Sequence, residues 1–331
     1  MLLAHLLIGW LLSLLPRALL QRRLAACGPG GAAGAAGGPL RCLPCFSGRT
    51  ALELVAQAFE PERRTLLLPA YLCNVVALAF ERQGWTLVGY EVDEDFQPDN
   101  AALLARAADC GASAVLLAPL YGSDGGLRWW LAPAVAQQCR QQRLALVLDL
   151  CQDAAWLREV PAGWQGGAVV LSFNDKSFPG AMGAVLWTDL PCDEPPAPGP
   201  AVALRLLGWR LRVLLGSLRR GASAAEGFEY SQATQFPHDF SIPGATRWQL
   251  ALGLLGLRGL ARWQQRRRAA LQRGDVKPAG PSVGSSSPYV LVAADDPGRH
   301  RRKSPYAVAD APTQSLRPAL QVRHNKGFDD R

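Results

Sequence analysis

One lysine stands apart from the other cationic residues of this sequence. Of its 35 basic residues only four are lysine, and Lys176 is the only one among the first 276 residues. It lies in the segment SFNDKSFPGAMGAV, which contains one other charged residue. A lysine amine can form an imine with a carbonyl compound, whereas arginine cannot because its guanidinium stays protonated. Lys176 is therefore a candidate for covalent chemistry, although coding bias or a plain surface position would also explain it.

A carboxylate, an amide and a hydroxyl precede Lys176 along the chain. Asp149 stands in the apolar run LALVLDL, Gln152 follows three residues later, and Ser172 stands near the end of the next apolar run, GAVVLSF. A carboxylate at the end of a buried strand needs a cationic or hydrogen-bonding partner to stay charged. A simpler interpretation makes Asp149 a helix N-cap with Gln152 in the first turn, and Ser172 a plain strand-end residue.

A polar turn near the start of the chain offers a site for an anion. Ser47, Gly48, Arg49 and Thr50 precede the helical run ALELVAQAF at 51–59. Backbone N–H groups at a helix N-terminus point outward and bind anions such as phosphate. Many helices begin this way, so the turn gains meaning only from the residues that fold beside it.

Apolar strand candidates alternate with helical runs between residues 46 and 190. Strands are expected at 65–70, 85–92, 113–122, 144–150, 167–173 and 183–189, and helices at 51–59, 74–84, 99–109 and 129–142. This alternation predicts an α/β fold, a three-layer mainly parallel sheet. Ligands bind at the carboxyl ends of strands in such sheets, which groups Asp149, Ser172 and the Gly48 turn. A phosphate cradle, a carboxylate for a protonated ring nitrogen and a lysine for an imine together suit pyridoxal 5'-phosphate.

The order of these motifs resembles that of one enzyme family. The segments FSGRTALEL, LLPAYLCNVVALAFERQGWTLVGYEVD, LLAPLYG, LVLDLCQDAAW and LSFNDKSFPGAMGAVLWTD follow one another as similar segments do in the DegT/DnrJ/EryC/StrS (DegT/StrS-type) sugar aminotransferases, which are fold-type I pyridoxal-phosphate enzymes. The resemblance covers under half of the chain. It implies an aspartate-aminotransferase-like large domain, pyridoxal 5'-phosphate as cofactor, and a homodimer with sites at its interface.

The resemblance also implies an activity and a role for each site residue. The enzyme would transfer an amino group from an amino acid, glutamate above all, to a nucleotide-linked keto sugar in surface polysaccharide or secondary-metabolite biosynthesis. Asp149 would pair with the pyridine nitrogen, Gln152 would lie near the ring hydroxyl, and Ser172 would touch the phosphate. Lys176 would carry the cofactor as an imine and shuttle protons. Family members that act as dehydratases carry histidine at the lysine position, so Lys176 favours transamination.

Several positions depart from the family pattern. Arg49 stands between Gly48 and Thr50, where the family has Gly-Thr, so the turn would bind phosphate through its amides with charge added by Arg49. The family often places an aromatic residue over the cofactor ring. The corresponding position here is Cys73, with Tyr71 nearby, and either is a candidate for the ring contact.

Further departures motivate a second hypothesis. The spacing from Ser172 to Lys176 is one residue shorter than in the family. The asparagine that reaches the neighbouring subunit's phosphate is missing from residues 240–257, and the C-terminal region is short and irregular. The alternative is a non-catalytic or altered descendant that binds pyridoxal phosphate and acts as a scaffold in polysaccharide assembly.

Composition divides the chain into five parts. Residues 1–27 predict an apolar N-terminal helix, and 28–45 have the composition of a Gly/Ala-rich linker. Residues 46–240 are expected to form the cofactor-binding large domain. Residues 241–296 would form a helix and a small, truncated C-terminal α+β domain, and 297–331 an irregular basic tail.

The N-terminal segment leaves two interpretations open. The first 15 residues carry no charged side chain, but a helix of that length spans about 22 Å, short of the membrane's hydrocarbon core of roughly 30 Å. It would either contact a membrane peripherally through residues 1–23 or pack on the protein's own body or a dimer partner. The expected location is cytoplasmic, and membrane-associated in the first case.

Charge and cysteine spacing argue against two classes of partner. The net charge of +8 gathers after residue 257, where no nucleic-acid-binding motif occurs. The eight cysteines are scattered, and CLPC at 42–45 has no second pair to complete a zinc site. Neither a nucleic acid nor a metal is therefore expected.

Overall fold

The computed structural model of the chain describes residues 2–29, 40–93, 96–120, 123–173, 183–208, 244–272, 289–293 and 320–324. The largest feature is a seven-stranded sheet with the spatial order β1-β7-β6-β5-β4-β2-β3. The strands from β2 to β6 pair in parallel, whereas β7 is antiparallel to both β6 and β1. The strands are β1 (Arg41–Cys45), β2 (Thr65–Pro69), β3 (Thr86–Tyr90), β4 (Ala114–Leu117), β5 (Ala145–Asp149), β6 (Gly167–Ser172) and β7 (Ala184–Thr188).

The central strands of the sheet are covered on both faces. Every residue of β4, β5, β6 and β7 is buried. Strands buried on both faces have nearly continuous apolar sequences, because successive side chains point to opposite faces. The predicted α/β fold with a three-layer, mainly parallel sheet is confirmed.

The helices begin where the sequence supplies caps. Ser47 and Thr50 form a reciprocal capping box at the start of α3, Asp99 caps α5, and Pro133 stands in the first turn of α7. The helices are α1 (Leu2–Leu12), α2 (Arg17–Ala25), α3 (Gly48–Gln57), α4 (Asn74–Glu81), α5 (Asn100–Asp109), α6 (Leu127–Trp130), α7 (Pro133–Gln141), α8 (200–208) and α9 (Arg247–Gln272).

The N-terminal segment forms two helices, which corrects the prediction of one helix over 1–27. Pro16 lacks a backbone N–H and stands as the N-cap of α2, so the helical hydrogen bonds cannot run through it. One side of α1 packs on α9, where Gly9 lies against the side chain of Leu252. Packing on the protein's own body is thus shown for that side. None of the helices in the described ranges is both long and apolar enough to cross a membrane.

Two strands lie where the sequence predicted none. Residues 41–45, assigned to the linker, form β1, and Pro44 is tolerated there because β1 is an edge strand of the sheet. In the predicted irregular tail, Leu320–His324 forms β9, which pairs antiparallel with β8 (Tyr289–Ala293) of the predicted C-terminal α+β domain. The leucine and valine of LQVRH alternate with polar residues, a period of two that the surrounding proline and arginine obscured.

Candidate active site

Two site residues that are 124 positions apart in the sequence meet at one edge of the sheet. A Cβ added to Gly48 would lie 3.2 Å from the Cβ of Ser172 and 3.6 Å from its Oγ. The same atom would lie 3.5 Å from the Sγ of Cys151. The first turn of α3 and the carboxyl ends of β5 and β6 therefore form one small cradle, which we call the Gly48 cradle, and which glycine keeps open.

Hydrogen bonds within the turn fix the start of α3. The Thr50 N–H donates to Ser47 Oγ at 3.3 Å, and the Ser47 N–H donates to Thr50 Oγ1 at 3.0 Å. The Thr50 hydroxyl also donates to the Ser47 carbonyl at 2.8 Å. Thr50 was predicted to bind the cofactor, but its side chain forms hydrogen bonds that hold the turn. Gly48 and the half-buried Arg49 occupy the first two helical positions, where N–H groups have no partner inside the helix.

Asp149 is a buried carboxylate with one hydrogen bond among the described residues. Its exposed fraction is 7%, and its Oδ1 accepts a hydrogen bond from the Cys151 N–H at 3.0 Å. The helix that follows is a short 3₁₀ helix capped by Asp153, so the interpretation of Asp149 as a helix N-cap is wrong. A buried charge with one neutral hydrogen bond in the described part of the chain favours a cationic partner.

Gln152 holds an acceptor that finds no donor. Its Oε1 is buried and has no hydrogen-bond partner among the described residues. A buried polar atom left unpaired costs roughly 1–3 kcal/mol, so Oε1 favours a donor from outside the described residues. The hydroxyl of a ligand beside Gln152 would satisfy it.

The loop that follows β2 brings two further predicted residues to the carboxyl edge of the sheet. The ring of Tyr71 packs on Phe96 with centroids 5.8 Å apart, whereas Cys73 is exposed immediately before α4. The Tyr71 ring is already engaged with Phe96, and Cys73 presents a free thiol. Which of them contacts a cofactor ring stays a prediction.

Lys176 lies in residues 174–182, outside the described residues, but both ends of that segment are placed. The Phe173 N–H donates to the Gly183 carbonyl at 2.8 Å, directly after β6 and directly before β7. Gly183 has a φ of +92°, which favours glycine. The segment that carries Lys176 therefore leaves and re-enters the sheet beside Ser172.

Sequence reasoning missed Gln249, a buried residue of α9 that connects the ends of this site. Its Nε2 donates to the carbonyl of Phe46 at 3.0 Å, one residue before the capped turn. Its Oε1 accepts from the Thr246 N–H at 2.8 Å, and a Cβ on Gly183 would lie 3.1 Å from its Cβ. The signal was the spacing Thr246-x-x-Gln249, which is that of a helix capping box.

The seven-stranded, mostly parallel sheet and its helices match an aspartate-aminotransferase-like fold, and solved structures with this fold superpose on the chain. One is PseC of Helicobacter pylori, an aminotransferase involved in the biosynthesis of pseudoaminic acid: it is 17% identical, with 83% of this chain and 69% of that chain covered, at a TM-score of 0.53. DesV of S. venezuelae, solved with a ketimine intermediate, is 19% identical, with 83% and 68% covered, at 0.51. AtS13 from Actinomadura melliaura is 19% identical, with 84% and 72% covered, at 0.51.

At these identities the similarity is one of fold. The resemblance to DegT/StrS-type sugar aminotransferases that the sequence motifs predicted is confirmed at that level. No protein-family model matches the chain, and a search of curated proteins found no match to it.

Proposed function

We propose that the protein is a pyridoxal-phosphate-dependent aminotransferase that acts on a sugar-like substrate. The observation that carries the proposal is the Gly48 cradle, where Ser172 and the start of α3 meet beside the buried carboxylate of Asp149. The aminotransferase fold supports the same activity from an independent direction.

The residues of the site fit the cofactor. The helix start at Gly48 and the hydroxyl of Ser172 would hold the phosphate, since a helix N-terminus attracts anions. Asp149 would neutralise the protonated ring nitrogen. The Oε1 atom of Gln152, which has no hydrogen-bond partner among the described residues, would accept a hydrogen bond from the ring hydroxyl. When bound, pyridoxal phosphate supplies an electron sink for charge that develops on a substrate carbon.

Each of the chain's own groups would have a separate role in the reaction. Asp149 would hold a proton on the ring nitrogen, because water competes little for a buried carboxylate. Lys176 would hold the cofactor covalently through its amine, and the free amine would move the substrate proton. The capping box at Ser47 and Thr50 keeps the phosphate end fixed while this happens.

Two substrates complete the proposed reaction. We infer glutamate as the amino donor and a nucleotide-linked keto sugar as the acceptor, in polysaccharide or secondary-metabolite biosynthesis. The support is that PseC, which shares the fold, is described as acting in pseudoaminic acid biosynthesis. A homodimer and a cytoplasmic location complete the proposal, and light scattering of the purified protein tests the dimer.

The decisive experiment uses colour. Purified protein loaded with pyridoxal phosphate should show a visible absorbance band that borohydride bleaches, and Lys176→Ala should lose this band. Lys277→Ala is the matched control and should keep it. Addition of glutamate should shift the band and release 2-oxoglutarate.

Two results would count against the proposal in different ways. A colourless protein that takes up no added pyridoxal phosphate would overturn it. A coloured protein that exchanges amino groups with no amino acid would instead favour the scaffold hypothesis, in which the cofactor is bound without turnover.

A further inference from the structure

The N-terminal helix presents a row of large apolar side chains to solvent. Leu7, Ile8, Trp10, Leu11 and Leu14 are between 46% and 65% exposed. We call these five residues the N-terminal apolar face. Elsewhere in the described ranges, the large apolar side chains that are exposed are Leu78 and Leu204. The face is therefore a concentrated patch of the kind that marks an interaction surface.

This face is held in place from behind. On the opposite side of α1, Gly9 lies against Leu252 of α9, a close approach that leaves no room for a side chain. After the turn, the guanidinium of Arg17 donates to the Ala245 carbonyl, and Leu20 and Leu24 are fully buried. The exposed side chains thus belong to a packed element that cannot turn them inward without breaking these contacts.

The charged side chains of the chain's first 52 residues are all basic. These residues contain no aspartate or glutamate, and the first acidic residue is Glu53. Glu194, far away in sequence, accepts a hydrogen bond from Gln21 and interacts with Arg17. Arg22 and Arg23 are exposed on α2, so they carry the positive charge that α2 presents to solvent.

We propose that the N-terminal apolar face binds the surface of a membrane that contains anionic lipids. An apolar helix face with tryptophan and flanking arginines suits the boundary between acyl chains and anionic headgroups. A second copy of the chain is the less suitable occupant. One face of the 11-residue α1 covers roughly 200 Å² from its helical dimensions, against about 800 Å² per partner in a stable interface.

The test is vesicle co-sedimentation with the full chain. The protein should sediment with vesicles made of equal amounts of phosphatidylcholine and phosphatidylglycerol. Several-fold less protein should sediment with vesicles of phosphatidylcholine alone. Leu11→Glu should weaken binding about tenfold or more, because it removes a leucine that would insert into the membrane and adds a negative charge beside the anionic lipids. Leu204→Glu, at a 69% exposed leucine outside the face, is the matched control and should bind as the original does.

The outcome is independent of the aminotransferase proposal, since lipid binding is measured without substrate or cofactor. Equal sedimentation of the original chain and Leu11→Glu would overturn the inference, as would equal loss in Leu204→Glu. So would an original chain that ignores lipid and whose mass in light scattering halves on Leu11→Glu, because a second copy would then cover the face.

Discussion

Gln249 offers the sharpest test of how the fold positions the site. Its side chain is 1% exposed and bridges Phe46, before the Ser47–Thr50 turn, to Thr246, before α9. Gln249→Met keeps the length and the apolar contacts but removes both side-chain hydrogen bonds. The Phe46 carbonyl and the Thr246 N–H would then be buried without these partners.

The size of the effect follows from those two groups. Loss of one partner costs each of these buried backbone groups about 1–3 kcal/mol, so the free energy of unfolding should fall by about 2–6 kcal/mol. Because Phe46 directly precedes the Ser47–Thr50 turn, part of that cost should appear as a misplaced cradle. A cost of about 1.4 kcal/mol in the bound state corresponds to tenfold weaker pyridoxal phosphate binding.

The assay measures both quantities on the same samples. Urea unfolding followed by circular dichroism gives stability, and absorbance titration gives cofactor affinity under conditions where each variant is folded. Gln137→Met, at an exposed glutamine of α7, is the control and should change neither. If Gln249→Met lost stability but bound cofactor with full affinity, Gln249 would be a structural residue only. If neither quantity changed, the hydrogen bonds described here would not exist in solution.

Four further predictions concern the site and its surroundings. Gly48→Ala should change stability by less than about 1 kcal/mol yet weaken cofactor binding about tenfold, because its Cβ enters the cradle 3.2 Å from Ser172; unchanged binding would place the phosphate elsewhere. Asp149→Asn should keep the bond from the Cys151 N–H but lower the transamination rate on the order of 10²–10³-fold, and a rate near the original would rule out its partnership with the ring nitrogen. At pH 8, iodoacetamide should alkylate the exposed Cys73 before Cys139 and Cys192, whose pKa values burial raises to about 11; peptide mass mapping follows the order, and slowing of Cys73 alone by pyridoxal phosphate would place it in the site. Because the pKa values of Cys139 and Cys192 are raised in the folded state, their protonated thiols stabilise it fully below pH 9.0. This stabilisation should be lost between pH 9.0 and about 11, which urea unfolding at several pH values would show.

The N-terminal region shows where a composition argument needs a structure. Twelve apolar residues in the first fifteen predicted a helix, and α1 is one, but composition could not say which side of it is covered. Gly9 decides this, because its lack of a side chain lets α1 approach Leu252 of α9. The five residues of the N-terminal apolar face are left facing outward as a consequence of that contact.

Local patterns determined much of this protein. The alternation of apolar runs and helical runs predicted β2 to β7 to within a few residues, since strands buried on both faces must be apolar throughout. Motif order also placed Gly48, Asp149 and Ser172 at one edge of the sheet, because the carboxyl ends of parallel strands converge there.

Long-range contacts decided the rest, because a sequence does not show which segments will meet. Only pairing with β7 makes a strand of residues 41–45, and only pairing with β8 makes one of 320–324. The hydrogen bond from Gln249 to Phe46 spans 203 positions of the sequence. The Oε1 atom of Gln152 is buried, and none of the described residues donates a hydrogen bond to it. The sequence alone predicted which residues would carry the chemistry, and the tertiary structure decided which of the described ones are buried and which have hydrogen-bond partners, because both depend on the segments that meet.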